Sequence, residues 1–239
     1  MSLTRQLIIN GEHVPAQSGK TTDDISPWTN EAYAQVSAAG PEDVTRAVPS
    51  QFRNPGDAIL LLGTTQGHLG GSAYWAEVLD TVAGSPPPIN LDTERSLQRL
   101  LVAAAQAGWL VSAHDLSDGG LAVALAECCI GGPWSTTTFG ADIDLKAHAD
   151  HVSDEGWFFG EDAARVLVSV SPADVAALQK LGGEHGIPCH FMGLVDEPGT
   201  DLVFRRAGSE WRWPTARLRS IYQDAIPRRM RQTAAAGEG

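Results

Sequence analysis

The side chains best suited to chemistry lie together at His114, Asp115, Ser117 and Asp118, followed at once by Gly119 and Gly120. An imidazole can carry a proton near neutral pH, a carboxylate can ligate a hard cation such as magnesium, and a hydroxyl can donate or accept a hydrogen bond. Val111-Ser112-Ala113 ahead of the cluster reads as a short strand. Leu121-Ala122-Val123-Ala124-Leu125-Ala126-Glu127 behind it reads as a helix. Sites in α/β proteins lie at such strand ends, and paired glycines let the backbone approach another surface closely. Each residue also has a plainer reading. Asp115 could cap the helix that Gly119-Gly120 begins, and His114 has no visible nucleophile or orienting partner, so it could be a hydrogen-bonded structural histidine.

The elements that must hold this turn alternate. Ala58 to Leu62 reads as a buried strand. Ser72 predicts a helix cap, with Tyr74, Trp75, Val78, Leu79 and Val82 on one face and Gly84 plus Pro86-Pro87-Pro88 as the stop. Leu97, Leu100, Leu101 and Ala104 mark a second helix ending near Gly108, and a third runs from Asp118 to Gly131-Gly132. Residues 133 to 162, with Trp134 and Trp157, read as a strand or two and loops. Ala164 to Val170 is a strand, and Ser171-Pro172-Ala173-Asp174 caps a helix with Val175, Leu178 and Leu181 inward. Cys189 to Val195 and Leu202 to Arg205 finish the sheet. Trp211 and Trp213 are expected to pack on it, a last helix spans Thr215 to Ala225, and 231–239 is expected to be a disordered tail. The predicted fold class is α/β (α+β), a mixed sheet with flanking helices.

Ahead of this lies a different kind of segment. Leu7-Ile8-Ile9, Asn10-Gly11 and Glu12-His13-Val14 predict a β-hairpin arm, because Asn-Gly suits a tight turn with two positive φ angles. Gly40-Pro41-Glu42-Asp43 predicts a helix that Pro49 ends. The expected divisions are 1–48, 49–230 and the tail.

Four ordered segments resemble phosphoribosylformylglycinamidine synthase: Pro55-Gly56-Asp57-Ala58-Ile59-Leu60-Leu61-Leu62-Gly63, Leu69-Gly70-Gly71-Ser72-Ala73-Tyr74, Ser112 to Glu127, and Phe159-Gly160-Glu161-Asp162-Ala163-Ala164-Arg165 running on to Val170. The resemblance covers about Phe52 to Met230. It implies the C-terminal domain found in aminoimidazole ribonucleotide synthase-type enzymes, an ATP-dependent ligase of purine biosynthesis, and ATP and magnesium as cofactors. It makes Glu161 a substrate-contact candidate and Asp115 a magnesium candidate, with Gly119, Gly120 and the polar groups of the turn as nucleotide or substrate candidates. It also implies that the catalytic histidine, the main ATP-binding residues and most magnesium acids belong to segments ahead of Phe52. The chain alone is therefore expected to be inactive and to need the remainder of the synthase, or to self-associate through an exposed apolar face.

Residues 7–16, Ser18-Gly19-Lys20-Thr21, Ser26-Pro27-Trp28-Thr29-Asn30-Glu31 and 39–48 resemble, in order, the N-terminal segment of aldehyde dehydrogenases. No dinucleotide-binding glycine turn or suitably placed cysteine follows, so aldehyde oxidation is not expected. A non-catalytic partner-binding module and a fusion without a function of its own remain alternatives.

Composition narrows the classes further. The 239 residues carry a formal charge of −12, which argues against a nucleic-acid partner. The balance is uneven: residues 201–239 hold eight arginines against Asp201, Glu210, Asp224 and Glu238, so they are +4 and the rest is −16. The first residues hold too short an apolar run for a signal peptide, and no stretch approaches a membrane span, so the expectation is a cytoplasmic protein. Cys128, Cys129 and Cys189 fit neither a disulfide framework nor a zinc spacing and are read as buried thiols. Gly63, Gly67, Gly70 and Gly71 suggest a phosphate loop but lack the Gly-Lys-Ser/Thr signature, so a flexible turn is the simpler reading. No role is assigned to His68 or His185.

Overall fold

The computed structural model describes residues 3–9, 12–40, 47–132, 135–145 and 152–236. It divides into two compact units, Met1–Val48 and Pro49–Gly239.

The first unit holds β1 (Leu3–Arg5), β2 (Leu7–Ile9), β3 (Glu12–Val14), β4 (Thr21–Ile25) and β5 (Ala32–Ser37). β2 and β3 form the expected antiparallel hairpin, with Leu7 opposite Val14; its Asn10-Gly11 turn lies outside the described residues. A second sheet, β1-β5-β4, was not foreseen. Most of the predicted helix after Gly40 lies outside the described residues.

The second unit is built on a seven-stranded mixed sheet. Its strands are β6 (Ala58–Leu62), β7 (Leu110–Asp115), β8 (Phe139–Asp144), β9 (Val166–Val170), β10 (Cys189–Pro198), β11 (Asp201–Arg206) and β12 (Ser209–Pro214), in the order β12-β11-β8-β10-β6-β9-β7. Only β11 and β8 run parallel. Its helices are α1 (Ala73–Glu77), α2 (Leu91–Gln106), α3 (Gly120–Ile130), α4 (Asp154–Phe159), α5 (Val175–Glu184) and α6 (Thr215–Ala236).

Every residue of β6 and β9 is buried, as both faces of the sheet are covered. Side chains alternate along a strand, so Ile59 and Leu61 enter a core with Leu121, Leu125, Cys128 and Phe158 from α3 and α4. Leu60 and Leu62 point the other way, towards the side where α5 lies on β10 and α2 on α5. Leu97, Leu100 and Ala104 of α2 and Leu178 of α5 are buried, as their helical spacing predicted. Asn90 caps α2 by accepting from the backbone of Asp92 and Thr93.

Four expectations change. Residues 133–162, read as a strand or two and loops, contain β8 but also the helix α4, which Ser153 caps by accepting from Gly156 N. Ser72 does cap α1, its Oγ accepting from Trp75 N at 3.5 Å, but the helix lasts only five residues. The chain then folds back, Thr81 N donating to Trp75 O and Gly71 N to Ala83 O, so Val78, Leu79 and Val82 are exposed instead of sharing a buried face. Trp211 and Trp213 do not pack on the sheet from outside; they belong to its edge strand β12. The last helix continues past Ala225 to Ala236 through Pro227, so residues 231–236 of the expected tail are helical; 237–239 lie outside the described residues. Proline costs a helix one hydrogen bond but does not have to end it.

Cys128 and Cys129 are buried as expected, and burial holds both thiols well above their usual range. Cys189 is half-buried, its pKa pushed up to about 11 for the same reason.

Candidate functional site

The turn after β7 and the segment before β9 meet because these strands are antiparallel neighbours, with Asp115 in register with Val166. Leu116 N donates to Arg165 O at 3.2 Å, which brings residues 116–120 beside residues 160–165.

Glu161 ties two backbone ends together. Its Oε1 accepts from Gly119 N at 2.8 Å and from Ala73 N at 2.9 Å, while its own N–H donates to His68 O. One carboxylate oxygen thus satisfies the first turn of α1 and the approach to α3, where a negative charge is favoured.

Asp162 does more. Only 6% exposed, it accepts from Gln66 N and Gly67 N at 2.9 Å through Oδ2 and from His68 N at 3.1 Å through Oδ1. Successive N–H groups of this kind form an anion-binding concavity, and here the chain fills it with its own carboxylate. Arg165, 2% exposed, lies 3.8 Å from Asp162 Oδ2 and donates to Gly160 O at 2.5 Å and Thr65 Oγ1 at 3.3 Å. Burial lowers the guanidinium's pKa, and the neighbouring Asp162 acts against that. The glycine-rich loop is therefore pinned at its centre. Gly67 has φ +76°, and a Cβ there would meet Val152 Cγ1 at 2.5 Å.

The turn itself is more open. Asp115, Ser117 and Asp118 are exposed, the Asp115 side chain at 77%. The N-cap of α3 is Gly119, with φ 81° and no side-chain cap, so Asp115 does not cap this helix. Gly120 has φ +63°, and a Cβ there would lie 2.5 Å from Gly160 O; the second glycine is required by this close approach.

His114 does have an orienting partner. Nε2 lies 3.1 Å from Glu127 Oε2 on α3, and Nδ1 lies 2.6 Å from Asp115 O. The hydrogen bond to Glu127 raises the His114 pKa, against the opposing effect of burial. Glu161 thus holds Gly119, and His114 is held separately by Glu127, whereas the side chains of Asp115, Ser117 and Asp118 are exposed.

Asp162, Arg165 and Glu127 were not singled out from sequence. The charged pair Asp162 and Arg165, three apart and directly before the buried Val166–Val170, was an available signal. The Glu127 contact depends on how α3 packs and had none.

A separate apolar cavity of about 480 Å³ opens between α3, α4, β11, β12 and α6. Phe158, Phe204, Trp211 and Trp213 form part of its wall, with Phe158 edge-on to Phe204 and Trp211 at 5.2 and 5.1 Å between ring centres.

Residues 54–204 match the domain family described as AIR synthase related protein, C-terminal domain. The chain belongs to this family. Residues 1–48 lie outside the matched span. The phosphoribosylformylglycinamidine synthase subunit PurL of Thermobifida fusca is 42% identical over 190 residues, covering 78% of this chain and 23% of the relative. The Anaeromyxobacter subunit is 39% identical over 197 residues, 80% of this chain and 24% of its own length. The chain therefore spans about a quarter of the length of these relatives. Thermotoga maritima PurL solved with FGAR superposes with a TM-score of 0.63 at 20% identity, covering 73% of this chain and 30% of that one. The same protein solved with ATP gives 0.56 at 19% identity, covering 73% and 27%. The fold is the expected mixed α/β domain, and the chain is a PurL-like segment. No described helix is long and apolar enough to cross a membrane.

The residues present do not fit magnesium or a nucleotide phosphate unaided. Among the described residues no group of three or more His, Cys, Asp or Glu is placed to hold a metal. The backbone concavity at 66–68 already holds the Asp162 carboxylate.

Proposed function

We propose that this chain is the C-terminal part of a phosphoribosylformylglycinamidine synthase and that it works only with the rest of the ligase. The reaction converts formylglycinamide ribonucleotide, ATP and an ammonia donor to the amidine, the amide oxygen being activated by phosphate. The observation that carries this reading is the ordered junction at Glu161, which locks the glycine loop and the His114–Gly120 turn side by side in a PurL-like domain. Such a junction suits a preformed surface presented to another domain. ATP and magnesium belong, in this reading, to segments outside this chain. Asp115, Ser117 and Asp118, the exposed groups of the turn, are the side chains available to a ligand or partner. Glu161, Gly119 and Gly120 hold the backbone that presents them, and His114 is held by Glu127.

Residues 1–48 are a separate arm in this account, of aldehyde dehydrogenase type. The division of the structure at Val48 and Pro49 supports the separateness of the arm and leaves its type to the sequence resemblance alone.

The test is complementation. The Thermobifida fusca subunit, truncated to lack the quarter that matches this chain, is assayed for formylglycinamide ribonucleotide-dependent ADP release with ammonia, with and without the 239-residue chain. Activity only in the mixture is expected. Turnover by the chain alone, or a mixture that associates yet stays inactive, overturns the proposal.

A further inference from the structure

Residues 70–85 close on themselves. Gly71 N donates to Ala83 O at 2.8 Å, His68 Nε2 lies 2.6 Å from Ser85 O, and a Cβ on Gly84 would come within 2.7 Å of Gly70 Cα. Within the loop Thr81 N donates to Trp75 O at 3.0 Å, and the Tyr74 ring stacks on Phe159 with 5.0 Å between centres. Glu161 holds Ala73 N from outside it. Surface loops tied at the neck in this way are compact and frequently functional. The tip is different: Val78, Leu79 and Val82 are exposed, Val82 at 87%. Apolar side chains gathered on one surface element mark an interaction site, whereas scattered ones do not. Because the backbone beneath them is already fixed, little ordering remains to be done when a partner arrives.

The charge at the tip is local. Between Arg53 and Arg95 the chain has no Lys or Arg, and the loop carries Glu77 and Asp80, both exposed. A surface complementary to this tip is apolar at its centre and basic at its rim.

Position selects the partner. Glu161 Oε1 accepts from Ala73 N in the loop and from Gly119 N in the turn, so a body seated on the loop stands beside Asp115, Ser117 and Asp118. About three quarters of each PurL relative lies outside its match to this chain.

We propose that the 70–85 loop is the contact by which this domain holds the remainder of the ligase: Val78, Leu79 and Val82 enter an apolar pocket there, and Lys or Arg on its rim pair with Glu77 and Asp80. The proposal rests on the ligase reading and adds where the remainder is held and by what chemistry.

Calorimetric titration of the full chain into the truncated Thermobifida fusca subunit, alongside the ADP-release assay, reads it directly. Val82→Asp and Val78→Asp are each expected to weaken binding about tenfold or more, because the new charge would have to enter an apolar pocket. Both positions are exposed, so the thermal midpoint of the chain should not move. Val82→Ile is expected to bind as the unaltered chain does, and Glu77→Lys to bind less tightly. Ile226→Asp, a charge on an equally bare apolar position of α6, is expected to have no effect. If the subunit binds the unaltered chain and both valine variants equally well, this proposal fails and the ligase reading stands. The same holds if Ile226→Asp weakens binding as much as they do, since the attraction would then be to apolar surface in general. An unaltered chain that neither binds nor restores ADP release overturns both. Sedimentation covers the remaining occupant: a dimer of this chain that Val82→Asp dissolves, with binding to the subunit untouched, gives the loop to a second copy and overturns the proposal.

Discussion

Asp115 and Asp118 sit in a turn at the end of one strand, and Glu161 and Asp162 in a segment that begins the strand paired with it. The first two stand in solvent, whereas Asp162 is 6% exposed and accepts three backbone N–H groups, and Glu161 accepts two. Residue types are similar in the two places, but their tasks differ. The 160–165 segment is scaffold, its charges spent on neutralising backbone dipoles and one buried guanidinium. In the 115–120 turn the carboxylates of Asp115 and Asp118 stand at the surface. A carboxylate beside glycines thus says little about chemistry until it is known which backbone amides have already taken it.

The contrast breaks most sharply at Asp162. Asp162→Ala strands three N–H groups and leaves Arg165 buried beside no carboxylate, an expected loss of about 3–5 kcal/mol in urea-unfolding free energy. A loss no larger than that of a surface substitution would show that the loop is not pinned as described. Gly120→Ala comes next. A Cβ 2.5 Å from Gly160 O at φ +63° should cost about 1–3 kcal/mol and lower the thermal midpoint.

Glu161→Ala is expected to cost about 1–2 kcal/mol through the freed amides of Ala73 and Gly119, and to speed proteolytic cleavage between residues 66 and 80. If cleavage is unchanged, the loop is held by Asp162 alone.

The His114–Glu127 pair gives a smaller, pH-dependent term. The His114 pKa is raised above its ordinary 6.5, first by the hydrogen bond to Glu127. Its contribution is therefore fully present below the unfolded value and is lost as pH rises through the raised folded value. Because Glu127 is partly exposed, less than about 1 kcal/mol is expected. Glu127→Gln should flatten the stability profile in that window; an unaltered slope would assign it to other groups. Asp115→Asn and Asp118→Asn close the series, with stability changes within about 0.5 kcal/mol. Their effect, in the ligase reading, appears only as reduced turnover in the complementation assay. Stability losses like those at Glu161 would erase the distinction between turn and scaffold.

Much of the scaffold was legible. Ala58–Leu62 is a run of five apolar residues, too short for a helix and flanked by turn residues, and it lies at the heart of the sheet. The spacing of Leu97, Leu100 and Ala104 gave the buried face of α2. The α1 region misled because Val78, Leu79 and Val82 have helical spacing, yet they are exposed among the described residues and the chain turns back at Asp80, whose φ is 49°. Periodicity predicts which residues could share a face, not whether another element will arrive to bury it.

The sequence alone determined the central strands β6, β7 and β9, the helices α2, α3 and α5, the family of the domain and the clustering of polar groups at 114–120. These follow from local sterics and from the period of apolar residues, which act over a few positions. Only the tertiary structure decided which carboxylates serve the backbone. Glu161 meets Gly119 from 42 residues away and Ala73 from 88, and Asp162 meets Gln66 from 96. A hydrogen bond depends on distances of about 3 Å, and over such separations those distances are set by how the strands pair, not by any spacing along the chain.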